Sequence, residues 1–334
     1  MKKLIKTLAI ASSLTCGYAL AAMAQSPAEV DPQRDAYYKA FDGGKVVFIS
    51  ILQATELGKM WFQKMQDTLT PLGMTVDVRD SNLSTSAGAQ AFTQAISEKP
   101  KVIVSWNPDL TAYARLIQQA QKQGIYVVSI NMGSKAIADA YVGPDWVTIG
   151  KMQIEGAINA CKGKSNTIAI IQGNVNSGQN VLEMAGINEV LAQNPDVTIV
   201  ANQQADWDPN KAKAIVSTIV KQYPDICAVL GSTDSMDFGI AAAVQEAGLA
   251  DQVYVSTSGT GKKDFACDQI NNGTFDQYIS YNLPQQSLQL TTMIQTLISS
   301  EVAPGSNKMV AYTPLTEISR DNVGTKDICW EGAK

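Results

Sequence analysis

The chain contains no histidine. That absence removes the commonest general base, the usual Ser-His-Asp and Cys-His arrangements, and most zinc ligand sets. No two cysteines stand in C-x-x-C spacing, so zinc and dithiol redox chemistry have no sequence support. There is no P-loop, and Gly259-Thr260-Gly261 lacks the third glycine of a dinucleotide loop. No cofactor is expected. No carboxylate pair stands out as catalytic; carboxylate glycosidases need no histidine, but nothing positive points to an enzyme. Charge is scarce as well, at 17% Asp, Glu, Lys and Arg, with a net charge of −5. An acidic chain without basic runs is a poor partner for nucleic acid or an anionic membrane surface. Beyond the first two dozen residues no apolar run reaches transmembrane length.

The first residues have the pattern of a cleavable signal peptide. Lys2, Lys3 and Lys6 form a basic start, an apolar run without acids follows, and Ala22-Met23-Ala24 is an A-x-A cleavage motif before Gln25. Thr15 precedes Cys16 where lipoprotein signals carry Gly, Ala or Ser, which argues against lipidation. Residues 1–24 are therefore expected to direct export to the periplasm and to be removed. Loss of the three lysines takes the net charge from −5 to −8. Cys161, Cys227, Cys267 and Cys329 remain, an even count that suits disulfides in an oxidising compartment. The count alone leaves three pairings open.

A polar lead, 25–44, is expected to form a loop or short helix. From 45 onward apolar runs of strand length alternate with amphipathic stretches. Strands are predicted at 46–51, 74–80, 101–106 and 125–130, with helices at 57–72, 86–97 and 110–123 between them. Tyr141-Val142-Gly143-Pro144-Asp145 interrupts the rhythm, which then restarts. A helix at 146–161 leads to strands at 167–173, 197–202, 226–231, 253–258 and 275–282. Helices at 181–193, 209–222, 262–271 and 283–300, and one after Ser232, complete the pattern. Such βαβ succession implies parallel sheets with helices on both faces, in two successive halves. Each strand ends in a polar tip: Gln53, Asn107, Asn131, Gln172, Thr233, Ser258 and Asn282. In open α/β sheets ligands bind beyond these carboxyl ends, and two facing sets of tips would enclose one cleft. Any single tip can equally be a helix cap.

Several motifs in order resemble those of type I periplasmic substrate-binding proteins of ABC importers, of the ribose- and galactose-binding kind. KVVFISI opens the first half, and Gln123-Gly124-Ile125 leads into VVSINMG. Gln172-Gly173 begins a loop in the second half, followed by Gly186. Ala205-Asp206-Trp207-Asp208 is similar to the family's A-D-F/W-D, and Thr233-Asp234-Ser235-Met236 to its N-D-x-M. Ser258-Gly259 stands where the family has Asp-Gly, and Asn282-Leu283-Pro284 where it has a polar residue before proline. The likeness spans about Lys45 to Thr316.

The resemblance implies two doubly wound parallel-sheet lobes joined by a three-strand hinge. The implied division is 45–143 with 284–312, against 144–283 with 313–334, with crossings near 143–145, 282–284 and 312–316. It implies a monomeric receptor that closes on a small ligand and docks on an inner-membrane ABC permease; a sensor subunit for a chemotaxis receptor or kinase is the alternative. The implied ligand-binding residues are Gln53, Glu56, Asn107, Asn131, Met132, Asn180, Trp207, Thr233, Ser258 and Asn282. For Glu56 a helix-start charge favoured by the dipole is an equal reading. Within this layout Asp234 is expected to cap its helix while Thr233 faces the cleft, and the disulfides are expected as Cys161–Cys227 and Cys267–Cys329. The family's charged sugar-gripping Asp-Arg is here Asn131-Met132, its Asn is Thr233, and its loop arginine falls near Asn180. Loss of bidentate charged groups points to a neutral ligand with an apolar face: a sugar or deoxysugar, a polyol, or a less polar ring compound.

Overall fold

The computed structural model describes residues 31–332. The expected signal peptide lies outside the described residues, as does the start of the lead. Helix α1, Pro32–Phe41, forms in the lead. The chain divides into two units, one ending at Lys39 and one running from Ala40 onward. The second unit holds both sheets.

The first sheet contains β1 Lys45–Ser50, β2 Thr75–Asp80, β3 Val102–Ser105, β4 Tyr126–Ile130, β5 Ala140–Gly143 and β11 Met309–Tyr312, in the order β11-β5-β4-β3-β1-β2. All its pairings are parallel. Val46, Val47, Phe48 and Ile49 of β1 are all fully buried, as a strand covered on both faces requires. Helices α2 (Glu56–Leu69), α3 (Thr85–Glu98) and α4 (Ala114–Lys122) connect the strands. Thr55 caps α2 by accepting from Gly58 N, and Ser84 caps α3 by accepting from Ala87 N. Helix α4 starts later than its pattern suggests. Asp109 Oδ1 accepts from the backbone of Thr111 and Ala112 at 2.7 and 2.8 Å, which holds 109–112 in a turn.

The second sheet contains β6 Thr167–Gln172, β7 Thr198–Gln204, β8 Ala228–Leu230, β9 Tyr254–Gly259, β10 Gln277–Ser280 and β12 Thr316–Ser319, in the order β12-β10-β9-β8-β6-β7. It is parallel except for the β10–β12 pair. Helices α5 (Trp146–Cys161) and α6 (Gly178–Leu191) pack on each other, as do α7 (Pro209–Gln222) and α8 (Asp234–Glu246). A short α9, Cys267–Asn271, replaces the longer predicted helix. The residues before it are taken up by the tail: Lys263 N donates to Trp330 O, and Trp330 N to Gly261 O.

Helix α10, Leu283–Ser300, follows β10 but packs on α2 and β5 of the first sheet. The described chain thus passes between the sheets after Gly143, after Ser280 and between Tyr312 and Thr316. The disulfides are Cys161–Cys227 and Cys267–Cys329, with Cα separations of 5.7 and 6.2 Å. The first joins the end of α5 to the start of β8, and the second anchors the tail to α9. No helix among the described residues is long and apolar enough to cross a membrane.

Candidate functional site

A cleft of about 780 Å³ opens between the carboxyl ends of the two sheets. Trp106, Asn131 and Met132 reach it from the ends of β3 and β4, and Asp206, Trp207, Thr233 and Tyr281 from the other sheet. Among the described residues no lysine or arginine lines it. Its carboxylates, Asp109, Asp206 and Asp208, each have local work. Asp109 holds its turn, Asp206 pairs with Lys211, and Asp208 caps α7.

Trp207 owes its placement to two backbone features. Its φ is +64°, a left-handed conformation that an aromatic residue rarely adopts. Its ring lies against Gly173, where an added Cβ would come within 2.1 Å of the indole. The glycine leaves room for the ring, and the strained backbone aims it. Leu83, Asn131 and Asp206, also cleft-lining, have positive φ too, so unusual backbone collects around the cleft.

On the facing wall Trp106 is 6% exposed, and its ring stands edge-on to Trp61 with centroids 5.0 Å apart. Its Nε1 is buried without a partner among the described residues, as are Ser50 Oγ and Gln53 Oε1. The β1–β3 register sets Ser50 beside Trp106. Buried polar atoms of this kind call for a ligand or water.

Asn131 is held from several directions. Its carbonyl accepts from Tyr141 Oη at 2.9 Å and Trp146 Nε1 at 2.7 Å. Its Oδ1 accepts from Gln286 Nε2 at 3.2 Å, and Gln286 Oε1 accepts from Trp61 Nε1 at 2.9 Å.

Of the residues singled out in the sequence, the structure brings Asn131, Met132, Trp207 and Thr233 together in the cleft lining. Six others are not among the lining residues. Asn107 accepts from Ser105 Oγ and donates to Ser129 Oγ and Met132 O, which ties β3 to β4. Asn180 donates to Glu183 Oε2 at 3.0 Å and Ser232 Oγ at 2.7 Å. Ser258 Oγ donates to Ser232 O at 2.9 Å. Asn282, at φ +49°, caps α10 by accepting from Gln285 N. Gln53 Nε2 donates to Gly58 O. Glu56 is exposed in the first turn of α2 and lies 3.7 Å from Lys262. In the polar knot after β8, Thr233 lines the cleft as expected, but the N-cap position does not fall on Asp234. Thr233 occupies the N-cap position without a side-chain bond and faces the cleft, while Asp234 is the first helical residue. The Asp234 Oδ1 accepts from Ser235 N, and its Oδ2 accepts from Tyr278 Oη at 2.5 Å.

Trp106, Tyr281 and Gln179 line the cleft although nothing in the sequence marked them as site residues. Trp106 immediately precedes a polar tip, and a bulky aromatic there was the available signal. Beneath Gln179 and Thr233 lies a group of buried acids. Burial pushes the Glu183 carboxyl up to about 8, although Gln179 and Asn180 donate to it. Burial likewise raises Asp234 to about 6 and Asp237 well above the usual carboxylate range.

Two parallel-sheet halves crossed three times by the chain, with a cleft at their facing carboxyl ends, define a bilobal α/β binding-protein fold. The chain belongs to the periplasmic binding protein domain family, which matches residues 47–301. It is 26% identical over 201 residues to the D-allose-binding periplasmic protein of Escherichia coli, covering 57% of this chain and 65% of that protein. To the xylitol-binding protein of Mycolicibacterium smegmatis it is 27% identical over 169 residues, 48% of each. The alignments with these relatives thus span about half to two thirds of their length. In fold, it is similar to a carbohydrate transporter solute-binding protein of Agrobacterium radiobacter in complex with D-arabinose. The TM-score is 0.76 at 16% identity, covering 86% of this chain and 97% of that one. A myo-inositol-binding protein of Caulobacter, solved with myo-inositol, matches with a TM-score of 0.73 at 20% identity, covering 84% and 94%.

Proposed function

We propose that this protein is the periplasmic solute-binding receptor of an ABC import system, without enzymatic activity, and that it captures a small neutral ligand. The observation that carries the reading is the cleft: about 780 Å³, walled by Trp106 and Trp207, with amides and hydroxyls between them and no lysine or arginine among the described lining residues. Aromatic faces take up an apolar ring or chain face, and neutral polar groups orient hydroxyls. An anionic ligand would meet no countercharge there. The names of the relatives, which bind D-allose and xylitol, support a sugar or polyol.

The lobes in this reading are 45–143 with 284–312 and 144–283 with 313–334. They close on the ligand about the three chain passages, and the closed monomer docks on an inner-membrane permease. Asn131, Met132, Trp207 and Thr233 contact the ligand. Gln53, Glu56, Asn107, Asn180, Ser258 and Asn282 support the walls that carry them. A cleaved signal at 1–24 delivers the protein to the periplasm.

Native mass spectrometry of freshly purified protein, followed by release and identification of any carried molecule, tests this. One neutral small molecule per chain is expected. An anionic ligand, or conversion of the bound molecule to a product, would overturn the reading.

A further inference from the structure

Asn131 is the one amide at the end of β4 that faces the cleft, and which end of it faces the ligand decides what the ligand must offer. An amide can be turned by 180° with little change in shape, so its orientation follows from its partners. Here the partners form a chain that starts at a group with no freedom of sign. Trp61 Nε1 is a donor only. It is 2.9 Å from Gln286, so the Gln286 oxygen must face it. Gln286 is fully buried, and its other end, the NH2, therefore faces Asn131. Asn131 must answer with its oxygen, at 3.2 Å. Turning Gln286 would set its NH2 against the Trp61 N–H, and turning Asn131 would set NH2 against NH2, each leaving buried donors unsatisfied.

The rest of Asn131 is equally committed. Its N–H donates to Val142 O at 2.7 Å, and its carbonyl is taken by Tyr141 and Trp146. The residue is 2% exposed, and its φ of +63° is a backbone state that asparagine tolerates better than most. Its Nδ2 has no protein partner among the described residues and lies at the cleft wall.

We propose that Trp61 and Gln286 are positioning residues that fix Asn131 as a hydrogen-bond donor to the ligand. The cleft then selects a molecule with a neutral oxygen acceptor, from a hydroxyl, ether or carbonyl, at that point. It discriminates against one that offers an ammonium or amide N–H there. The ligand half of this inference rests on the receptor reading above; the relay itself does not. The device sits two side chains away from the ligand and is drawn from both α2 and α10, so the donor's direction is set by the packing of the first lobe.

Gln286→Glu, studied above the pH to which burial lifts its carboxyl, reverses the logic. A carboxylate accepts from both neighbours, so Asn131 turns its NH2 inward and its oxygen to the cleft. Gln286→Met, similar in volume, removes the orienting donor and leaves Asn131 free to take either orientation. The readout is exchange of the assigned Asn131 carboxamide protons with water, measured by NMR on the full mature chain without ligand. Exchange should be fastest in wild type, slower by about tenfold in Gln286→Glu, and intermediate in Gln286→Met. Gln286→Met keeps the test alive should the buried charge prevent folding. Equal rates in wild type and the variants would overturn the relay. In parallel, D-allose, xylitol and myo-inositol are titrated against each protein. Any that binds wild type should bind Gln286→Glu about tenfold more weakly. Binding indifferent to the variant would overturn the ligand half alone. No binding by wild type would remove the ligand half together with the receptor reading, while the exchange rates would still decide the relay.

Discussion

Replacing Glu183 with glutamine should flatten the pH dependence of folding stability. Glu183 is 2% exposed, and burial pushes its carboxyl from an ordinary 4.5 up to about 8. Between those values the folded protein holds a proton that the unfolded chain has released. The stabilising contribution is therefore fully present below the unfolded value and is lost as pH rises toward 8. One such proton gives a slope of about 1.4 kcal/mol per pH unit, so from pH 5 to pH 7 the loss from Glu183 alone is about 3 kcal/mol. Asp234, raised by burial to about 6, adds to the loss in the lower part of the same window. Asp237, raised well above its ordinary value, acts in the same direction. Gln179 and Asn180 donate to separate oxygens of Glu183, so the glutamine variant keeps an acceptor for only one of them, and one proton's worth of slope disappears. Urea unfolding at pH 5, 6, 7 and 8, followed by far-ultraviolet circular dichroism, measures both proteins. Wild-type stability that is level or rising from pH 5 to 7, or a variant with an unchanged slope, would refute the argument.

Trp207→Ala should weaken binding of the carried ligand by about thirtyfold or more, read by isothermal titration, because it removes one aromatic wall of the cleft. Gly173→Ala should weaken it too, since the new Cβ would stand 2.1 Å from the same ring; unchanged affinity would show that the ring's position is immaterial. Asn282→Ala should lower stability by about 1–2 kcal/mol in denaturant, through loss of the α10 cap and the cost of alanine at φ +49°. Serine at both Cys161 and Cys227 should cost about 2–4 kcal/mol, and a thiol count on the native chain freed of residues 1–24, and so of Cys16, should find none free.

The parts of the fold that were legible in the sequence are those whose strands are buried on both faces. VVFI of β1 and IAII of β6 are unbroken apolar runs because helices cover each side. Strands β11 and β12, each at a sheet edge, escaped notice for the opposite reason, while β5, though buried, is cut short by Gly143-Pro144. Each is only four residues long, and β11 alternates half-buried with exposed positions at a sheet edge. The site was legible in position but not in direction. Polar tips do end the strands, yet Asn107, Asn180 and Ser258 turn toward backbone and side-chain partners that only the fold supplies. Trp106 ranked as the last apolar residue of a strand, and its role at the cleft depends on the register that sets it beside Ser50. Asn131, by contrast, was marked by its place at a strand end, and its neighbours hold it there.

The two disulfides close loops of 66 and 62 residues; both bonds join parts of the second sheet and its tail, but the second loop also runs through α10 and through β11 of the first sheet. Among the described residues no disulfide encloses β1 to β5 or the first passage, after Gly143. The covalent mesh is therefore lopsided, and the molecule should answer a mechanical load accordingly. Pulled from its ends, the oxidised chain can extend everywhere outside the two loops. Roughly 420–460 Å of contour, at ~3.3–3.6 Å per residue over 66 and 62 residues, stays locked until the bonds are reduced. Under tension the segments that carry Trp207 and Gln286 would stay tied inside their loops, while β1 to β5, with Asn131, came fully apart.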